Sequence, residues 1–551
     1  MDIKETVAEN IRNAIEKAME AGELQKADIP AVGVEEPPEK SMGDFATNIA
    51  MQSAKIFRLP PKKIAEAIVK HLEGDLIERA EIAGPGFLNI FLKSNALTDS
   101  FLKIYEKGDN FGQLPPKNTG KIQVEYVSAN PTGPLHVGHG RGAAFGSALV
   151  NLLRAAGYDV KSEYYINDAG NQMDMLAMSV DIRYRQLFGQ NVELPENSYH
   201  GADIVETAKR IKEKDGDKYL NLDEEERLKI FKDLAYQEKL ASLKEDLEEF
   251  QVTFDEWFSE RTLHPDAVNN AVAALKEKCK AYDKDGAVWL DSTSYGDDKD
   301  RVIIRDNGVP TYLAADIAYH KNKFERGFTK LINIWGADHH GYITRVKASM
   351  SALGFNADNL EILLMQMVSL YRGGELVKMS KRTGESITLK ELMEEVGVDA
   401  ARYFFLMRSA DSQLDFDLDL AKKESSENPV FYVQYAHARI CSILRNAPDA
   451  GLKLLDKPDF SLLKEDAEIE LMKKISAFEE ETDKAASLYA PQRIAKYAYD
   501  LASDFHTFYN HSRIVGVEKN LGNARLALAF ETARVIRLAL KILGVSAPEK
   551  M

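Results

Sequence analysis

Residues 122–165 limit the possible folds of this chain more than any other stretch. Ile122, Val124 and Tyr126 alternate as one face of a strand, a Gly/Pro-rich corner follows, residues 142–156 have the Ala/Leu content of a buried helix, and 160–165 read as a second strand. Strand, crossover helix and strand in this order form a parallel-sheet unit, and such sheets bind ligands beyond the carboxyl ends of their strands. The corner itself, EYVSANPTGPLHVGHGR from Glu125 to Arg141, sets His136 and His139 three residues apart where that ligand would lie.

At 551 residues the chain exceeds what one core normally encloses, so several domains are expected. Ile3, Val7, Ile11, Ile15 and Met19 follow the four-residue spacing of one helix face, and two strand-like segments, 76–83 and 87–92, flank Gly84-Pro85-Gly86. These features predict a small α+β module over 1–112, closed by the polar, Pro-rich segment 112–120. A Rossmann-like parallel-sheet catalytic domain is expected over 113–398, with an insertion at about 170–300. Beyond Asp399 the periodicity is almost purely helical, predicting a connecting region over 399–430 and an all-α bundle over 431–551. The fold class is therefore α/β, flanked by a small α+β module and an all-α bundle.

The formal charge of −16 argues against a wholly basic nucleic-acid coat. That charge is segregated, because residues 491–551 hold nine Lys/Arg against five Asp/Glu, so the last domain could meet a phosphate backbone that the whole molecule would repel. Cys279 and Cys441, the only cysteines, are too far apart in sequence for metal-ligand spacing, so neither structural zinc nor a disulfide framework is expected. No run of 18 apolar residues occurs and the chain opens on an amphipathic helix, predicting a cytoplasmic enzyme without a membrane partner.

Helix-start amides attract phosphate, and imidazoles there can donate to phosphoryl oxygens as charge moves onto them, while Gly138 leaves room for a flat base or ribose. Alone, His136 and His139 could equally be a metal half-site or two solvated histidines. A second element decides between these. Lys378, Ser380 and Lys381 follow Arg372-Gly373-Gly374, with Gly384 close behind, and two amines there can neutralise charge building on an α-phosphorus and its pyrophosphate leaving group. Together the two elements predict one nucleotide site. Glu125 and Asn130 stand at the corner, and Tyr312 and Asp316 lie one helical turn apart. Paired carboxylates beside one site call for a cation, and a planar guanidinium suits them better than an ammonium.

His136-Val-Gly-His139 and Lys378-Met379-Ser380-Lys381-Arg382 resemble the "HIGH" and "KMSKS" elements of class I aminoacyl-tRNA synthetases, with Arg382 replacing the final serine. The corner, YYINDAGNQ from Tyr164, FDEWFSE from Phe254, NGVPTYLAADIAYH from Asn307 and WGADHHGY from Trp335 resemble the bacterial-type arginyl-tRNA synthetases, and the resemblance spans nearly the whole chain. It implies ATP with Mg2+ as a substrate complex, and L-arginine and tRNA(Arg) as partners of a monomer. His136, His139, Lys378 and Lys381 would be catalytic. Gly138, Gly336, Asp338, His339, Met379 and Ser380 would join the ATP site, and Glu125, Asn130, Tyr312, Asp316 and His340 would hold arginine. Phe87 and Asn89, at alternate positions of one strand, would meet the tRNA elbow; Tyr509, Asn510, Arg513 and Arg525 would contact tRNA bases and phosphates from the bundle, which resembles an anticodon-binding domain. A different class I synthetase, a nucleotidylyltransferase and an inactive RNA-binding relative stand as alternatives.

Overall fold

A computed structural model describes residues 3–35, 37–93, 95–377 and 387–551. Lys378, Met379, Ser380 and Lys381 lie outside the described residues. In the N-terminal module, strands β1 (Phe45–Thr47), β2 (Ile77–Ala83) and β3 (Phe87–Leu92) form an antiparallel sheet in the order β1-β3-β2. The Ile3–Glu20 and Pro61–His71 helices pack against it through Ile3, Val7, Ile11, Ile15, Ile64 and Ile68. The two strand-like segments, 76–83 and 87–92, pair with each other as an antiparallel hairpin.

The next sheet is parallel throughout: β4 (Lys121–Glu125), β5 (Asp159–Ile166), β6 (Glu256–Ser259), β10 (Phe328–Gly336) and β11 (Leu360–Met365), in the order β11-β10-β4-β5-β6. The chain runs outward from β4 through β5 to β6, then returns to the other side of β4 with β10. This reversal opens a crevice at the carboxyl ends of β4 and β10, the switch point at which open α/β sheets take ligands. The crossover helix spans Val137–Ala155 and begins five residues before the predicted 142, because the histidines supply its cap rather than part of a loop. The helix is apolar nearly all round, as a helix enclosed on every side must be. A Cβ at Gly146 would stand 2.2 Å from the Tyr126 ring, so helix and strand end approach through bare backbone.

Residues 170–300 do not form one insertion. The Asn171–Leu187, Ala202–Asp215 and Glu224–Glu249 helices pack around their own core of Met173, Leu176, Val180, Ile204 and Phe231. β6 then rejoins the main sheet beside β5. β7 (Ala281–Lys284), β8 (Ala287–Leu290) and β9 (Arg301–Ile304) form a separate antiparallel sheet, so the short apolar alternation at 302–304 is not part of the parallel sheet. One short apolar alternation resembles another, and only long-range pairing assigns each to its sheet.

The sheet's two faces carry different cores. Ile332 and Ile334 join the apolar core that continues through the Val137–Ala155 helix into the C-terminal helices, whereas Leu331 and Leu360 face the Tyr312–Glu325 and Ile343–Leu353 helices. A further three-stranded sheet of β12 (Val368–Arg372), β13 (Glu375–Leu376) and β14 (Leu414–Asp417) follows. The Pro429–Asn446, Asp466–Ser476, Phe478–Ser487, Gln492–His511 and Lys519–Leu543 helices complete the all-α region. No described helix is long and apolar enough to cross a membrane.

Candidate active site

A cavity of about 400 Å³ opens at the β4/β10 switch point. Every main-sheet strand except β11 contributes, with Glu125 at the end of β4, Tyr165 and Asn167 at the end of β5, Glu260 after β6, and Trp335 and Gly336 at the end of β10. The Tyr312–Glu325 helix supplies the opposite wall. Tyr312, Asp316, Tyr319, His320 and Lys323 recur at spacings of three and four, so they form one stripe facing the sheet. Leu313, Ala314, Ile317 and Ala318 hold the helix in place on the far side.

The lining is acidic and aromatic. Glu125, Glu260 and Asp316 line it together with Tyr165, Tyr312, Tyr319, Trp335 and Tyr342, and no lysine or arginine stands among the described lining residues. Asp316 accepts a hydrogen bond from the Tyr342 hydroxyl at 2.7 Å. Burial pushes its pKa up to about 7, reinforced by the charges of Glu125 and Glu260 and opposed by Tyr342 and Lys323. Burial also raises Glu260, against the pull of His264 and Tyr165. A cavity that crowds carboxylates and withholds cations favours a cationic guest, and the ring faces suit a flat one.

Glu125 is nearly buried, and its two oxygens are committed differently. Oε1 accepts from Ser128 Oγ at 3.0 Å, while Oε2 accepts from the fully buried Lys323 Nζ at 2.6 Å. Val127 and Ser128, both cavity-lining, sit in the left-handed backbone region with φ of 66° and 43°. For a β-branched residue this is a strained conformation, and such strain persists where surrounding contacts hold it. Here the Ser128 hydroxyl links Glu125 to the Tyr165 amide at 3.2 Å.

The structure does not gather all the expected arginine ligands. Glu125, Tyr312 and Asp316 line the cavity, with Tyr312 61% exposed at its mouth. Asn130 is not among the lining residues, and its side-chain amide donates to Gln172 Oε1 at 2.6 Å instead. His340 is also absent from the lining; its neighbour His339 takes that place, in a turn running Ala337–Tyr342 where successive side chains point in different directions. Glu260 is the lining carboxylate missed by the reading of spacing. It lies more than 130 residues from Glu125, and its only local signal was the acidic end of FDEWFSE.

His136 and His139 build the helix start. His136 caps the Val137–Ala155 helix by accepting at Nδ1 from the Gly138 and His139 amides, His139 Nδ1 accepts from the His136 amide, and the rings stack 3.7 Å apart. A Cβ on Gly138 would approach the His136 ring to 3.0 Å, so this glycine accommodates the histidine as well as any ligand. The segment after residue 386 is tied to this corner, with Val137 N donating to Ile387 O and Leu389 N to Leu135 O. Gly336 and His339 line the cavity, and Asp338 is largely exposed beside His339. Among the described residues no group of three or more His, Cys, Asp or Glu side chains is placed to hold a metal ion.

In the N-terminal module, Phe87 is exposed and Asn89 half-buried, on alternate positions of β3. In the all-α region a groove of about 930 Å³ is lined by Tyr435, Arg439, Tyr509, Asn510 and Arg513 among others. The Arg439 guanidinium lies 4.7 Å from the Tyr435 ring centroid and 4.9 Å from that of Tyr509. Arg525 is not a surface contact. It is buried, with Nε donating to Glu468 Oε1 at 2.6 Å and NH1 to the Arg513 carbonyl, so it supports the groove from within.

Three families match successive parts of the chain: "Arginyl tRNA synthetase N terminal domain" over residues 5–92, "tRNA synthetases class I (R), catalytic domain" over 104–417 and "DALR anticodon binding domain" over 433–551. The arginine–tRNA ligase of Carboxydothermus hydrogenoformans is 51% identical over 99% of this chain and 98% of its own length. That of Bacillus subtilis is 48% identical over 100% and 99%. The arginyl-tRNA synthetase structure from Thermus thermophilus has the same fold, with a TM-score of 0.76 at 22% identity, covering 99% of this chain and all of that one. With the acidic crevice, the histidine-capped helix and these matches in agreement along the whole chain, it belongs to the class I arginyl-tRNA synthetases of bacterial type.

Proposed function

We propose that the acidic cavity at the switch point is the seat of the arginine side chain, and that ATP lies between it and the histidine-capped helix. The chain is an arginine–tRNA ligase: it activates L-arginine with ATP and transfers it to tRNA(Arg). The observation that carries the assignment of the seat is the convergence of Glu125, Glu260 and Asp316 on one cavity with no lysine or arginine among its described lining residues.

In this reading Asp316 and Glu125 grip the guanidinium through charge-assisted hydrogen bonds, with the tyrosine rings packed against its faces. The substrate carboxylate then attacks the α-phosphorus of ATP, forming the P–O bond of arginyl-adenylate and releasing pyrophosphate. Magnesium enters as part of the ATP complex. His136 and His139, together with Lys378 and Lys381, stabilise charge on the phosphoryl oxygens, and Gly138, Gly336, Asp338, His339, Met379 and Ser380 complete the nucleotide site. No side chain forms a covalent bond with the substrate; catalysis is placement and electrostatics. A hydroxyl of the terminal adenosine then attacks the adenylate's carbonyl carbon, expelling AMP. Phe87 and Asn89 meet the tRNA elbow, and Tyr509, Asn510 and Arg513 take unstacked bases and phosphates. The enzyme works as a cytoplasmic monomer.

The deciding experiment is amino-acid-dependent pyrophosphate exchange across all twenty amino acids, with tRNA present. Arginine alone should support exchange, and Asp316→Ala should raise the KM for arginine far more than that for ATP. Equal increases in both would remove Asp316 from the side-chain seat.

A further inference from the structure

Lys323 lies behind the cavity rather than in it, and its surroundings are unusual for a lysine. It is fully buried on the inner face of the Tyr312–Glu325 helix. Burying an ammonium costs several kcal/mol unless its donors are matched. They are matched here, because Nζ donates to Glu125 Oε2 at 2.6 Å and to Asn333 Oδ1 at 3.1 Å, and lies 4.2 Å from the Tyr319 ring centroid.

Asn333 carries the connection further. Its side-chain Nδ2 stands 2.7 Å from His320 Nε2, and His320 Nδ1 stands 2.8 Å from the Asp316 carbonyl oxygen. A carbonyl can only accept, so Nδ1 bears the proton and Nε2 accepts from the asparagine, which makes His320 a neutral imidazole in one tautomer. Two strands and one helix are thereby joined: β4 through Glu125, β10 through Asn333, and the helix turn that presents Asp316. Both ends of the relay reach the cavity, and Lys323 joins its Glu125 end to Asn333.

We infer that Lys323 is a positioning residue for arginine recognition, holding the Glu125 carboxylate in a fixed orientation on one side and fixing the turn that presents Asp316 on the other. The inference rests on the reading of the cavity as the arginine seat. Three carboxylates face one small space, and like charges so placed either bind protons or turn away. Lys323 keeps the Glu125 carboxylate from turning away without occupying the space that the guanidinium needs. Removing it leaves the cavity more negative, which by Coulomb attraction alone would favour arginine. Loss of orientation outweighs that gain, because a charge-assisted grip on a planar guanidinium needs the carboxylate plane fixed.

The test is steady-state pyrophosphate exchange by the full chain with tRNA present, on Lys323→Met, Lys323→Arg, Glu125→Gln and the Lys323→Met/Glu125→Gln double variant. Lys323→Met should raise the KM for arginine about 10-fold to 100-fold, the range seen when an outer partner of a ligand-holding group is lost, with the KM for ATP within about twofold of the parent. Lys323→Arg, which keeps the charge, should recover most of that loss. The double variant should lose less than the product of the two single losses, because the residues act through one contact. Losses that multiply, or KM values for arginine and ATP that rise together, would overturn the role. If Lys323→Met does not fold, Asn333→Leu, which cuts the relay to His320 while sparing the ion pair, should raise the KM for arginine by several-fold without affecting ATP; an unchanged value would overturn the role. Asp316→Ala separates the two readings, since an unchanged arginine KM in that variant discards the seat itself, whatever Lys323 does.

Discussion

The cavity at the sheet and the groove in the C-terminal helices invert each other's chemistry. The cavity gathers Glu125, Glu260 and Asp316 among tyrosines and, among the described residues, keeps the Lys323 ammonium behind the wall. The groove presents Arg439 between Tyr435 and Tyr509, with Arg513 beside them, and keeps its nearby carboxylate, Glu468, inside the bundle on Arg525. In each region the charge that matches the lining is displayed and the opposite charge is buried as a support. A chain of formal charge −16 can thus accept a small cation at one end and a polyanion at the other.

Four measurements would break or sharpen this contrast. The largest effect is expected for Asp316→Ala, because it removes one partner of a buried ionic contact. The arginine complex should lose about 3–5 kcal/mol, read as the arginine KM in exchange assays, with ATP and tRNA parameters little changed. A matching loss for tRNA would mean that the two regions are not separate in function. His139→Ala should slow adenylate formation by about 10²-fold, the scale of one lost transition-state donor, measured by arginine-dependent exchange. An unchanged rate would leave His139 as a helix cap alone.

On the groove side, Tyr509→Ala should weaken tRNA binding by about 1–3 kcal/mol, the worth of one stacked base, and leave the arginine KM untouched. Filter binding at several salt concentrations checks it, and an equal effect on arginine would erase the contrast. The smallest effect concerns pH. Asp316 ionises near pH 7 in the free cavity, far above an ordinary aspartate, so its burial favours the protonated form. Guanidinium binding favours the ionised form, so arginine binding should release a proton below about pH 7, and affinity should fall by at most tenfold per pH unit on acidification. The sign for folding follows from the same shift: stability is fullest below the ordinary aspartate range and declines as pH rises toward 7. Calorimetry of arginine binding in buffers of different ionisation enthalpy would detect the proton, and Asp316→Asn should abolish its release.

Much of this site could be read from local sequence, and what could not has a common cause. The Lys121–Glu125 strand, the histidine corner and the helix bearing Tyr312 and Asp316 each follow from spacing over a few residues, because hydrogen bonds within a helix or along a strand repeat with fixed periods. Other expected residues are not gathered by the cavity. Asn130 and His340 lie beside cavity residues in sequence but do not line it, and Arg525 has the charge of an RNA contact but the burial of a core residue. Residues 170–300 read as one irregular stretch, although β6 within them is a strand of the main sheet.

The amino-acid sequence by itself determined the parallel-sheet unit, the placing of two histidines at a helix start and the helical character of the last third, all properties of neighbours in the chain. Only the tertiary structure decided that Glu260 joins Glu125 and Asp316, and that Lys323, 198 residues from Glu125, neutralises it from behind. An ion pair of this kind is made by strand order and helix packing acting together, and no periodicity within either segment records it.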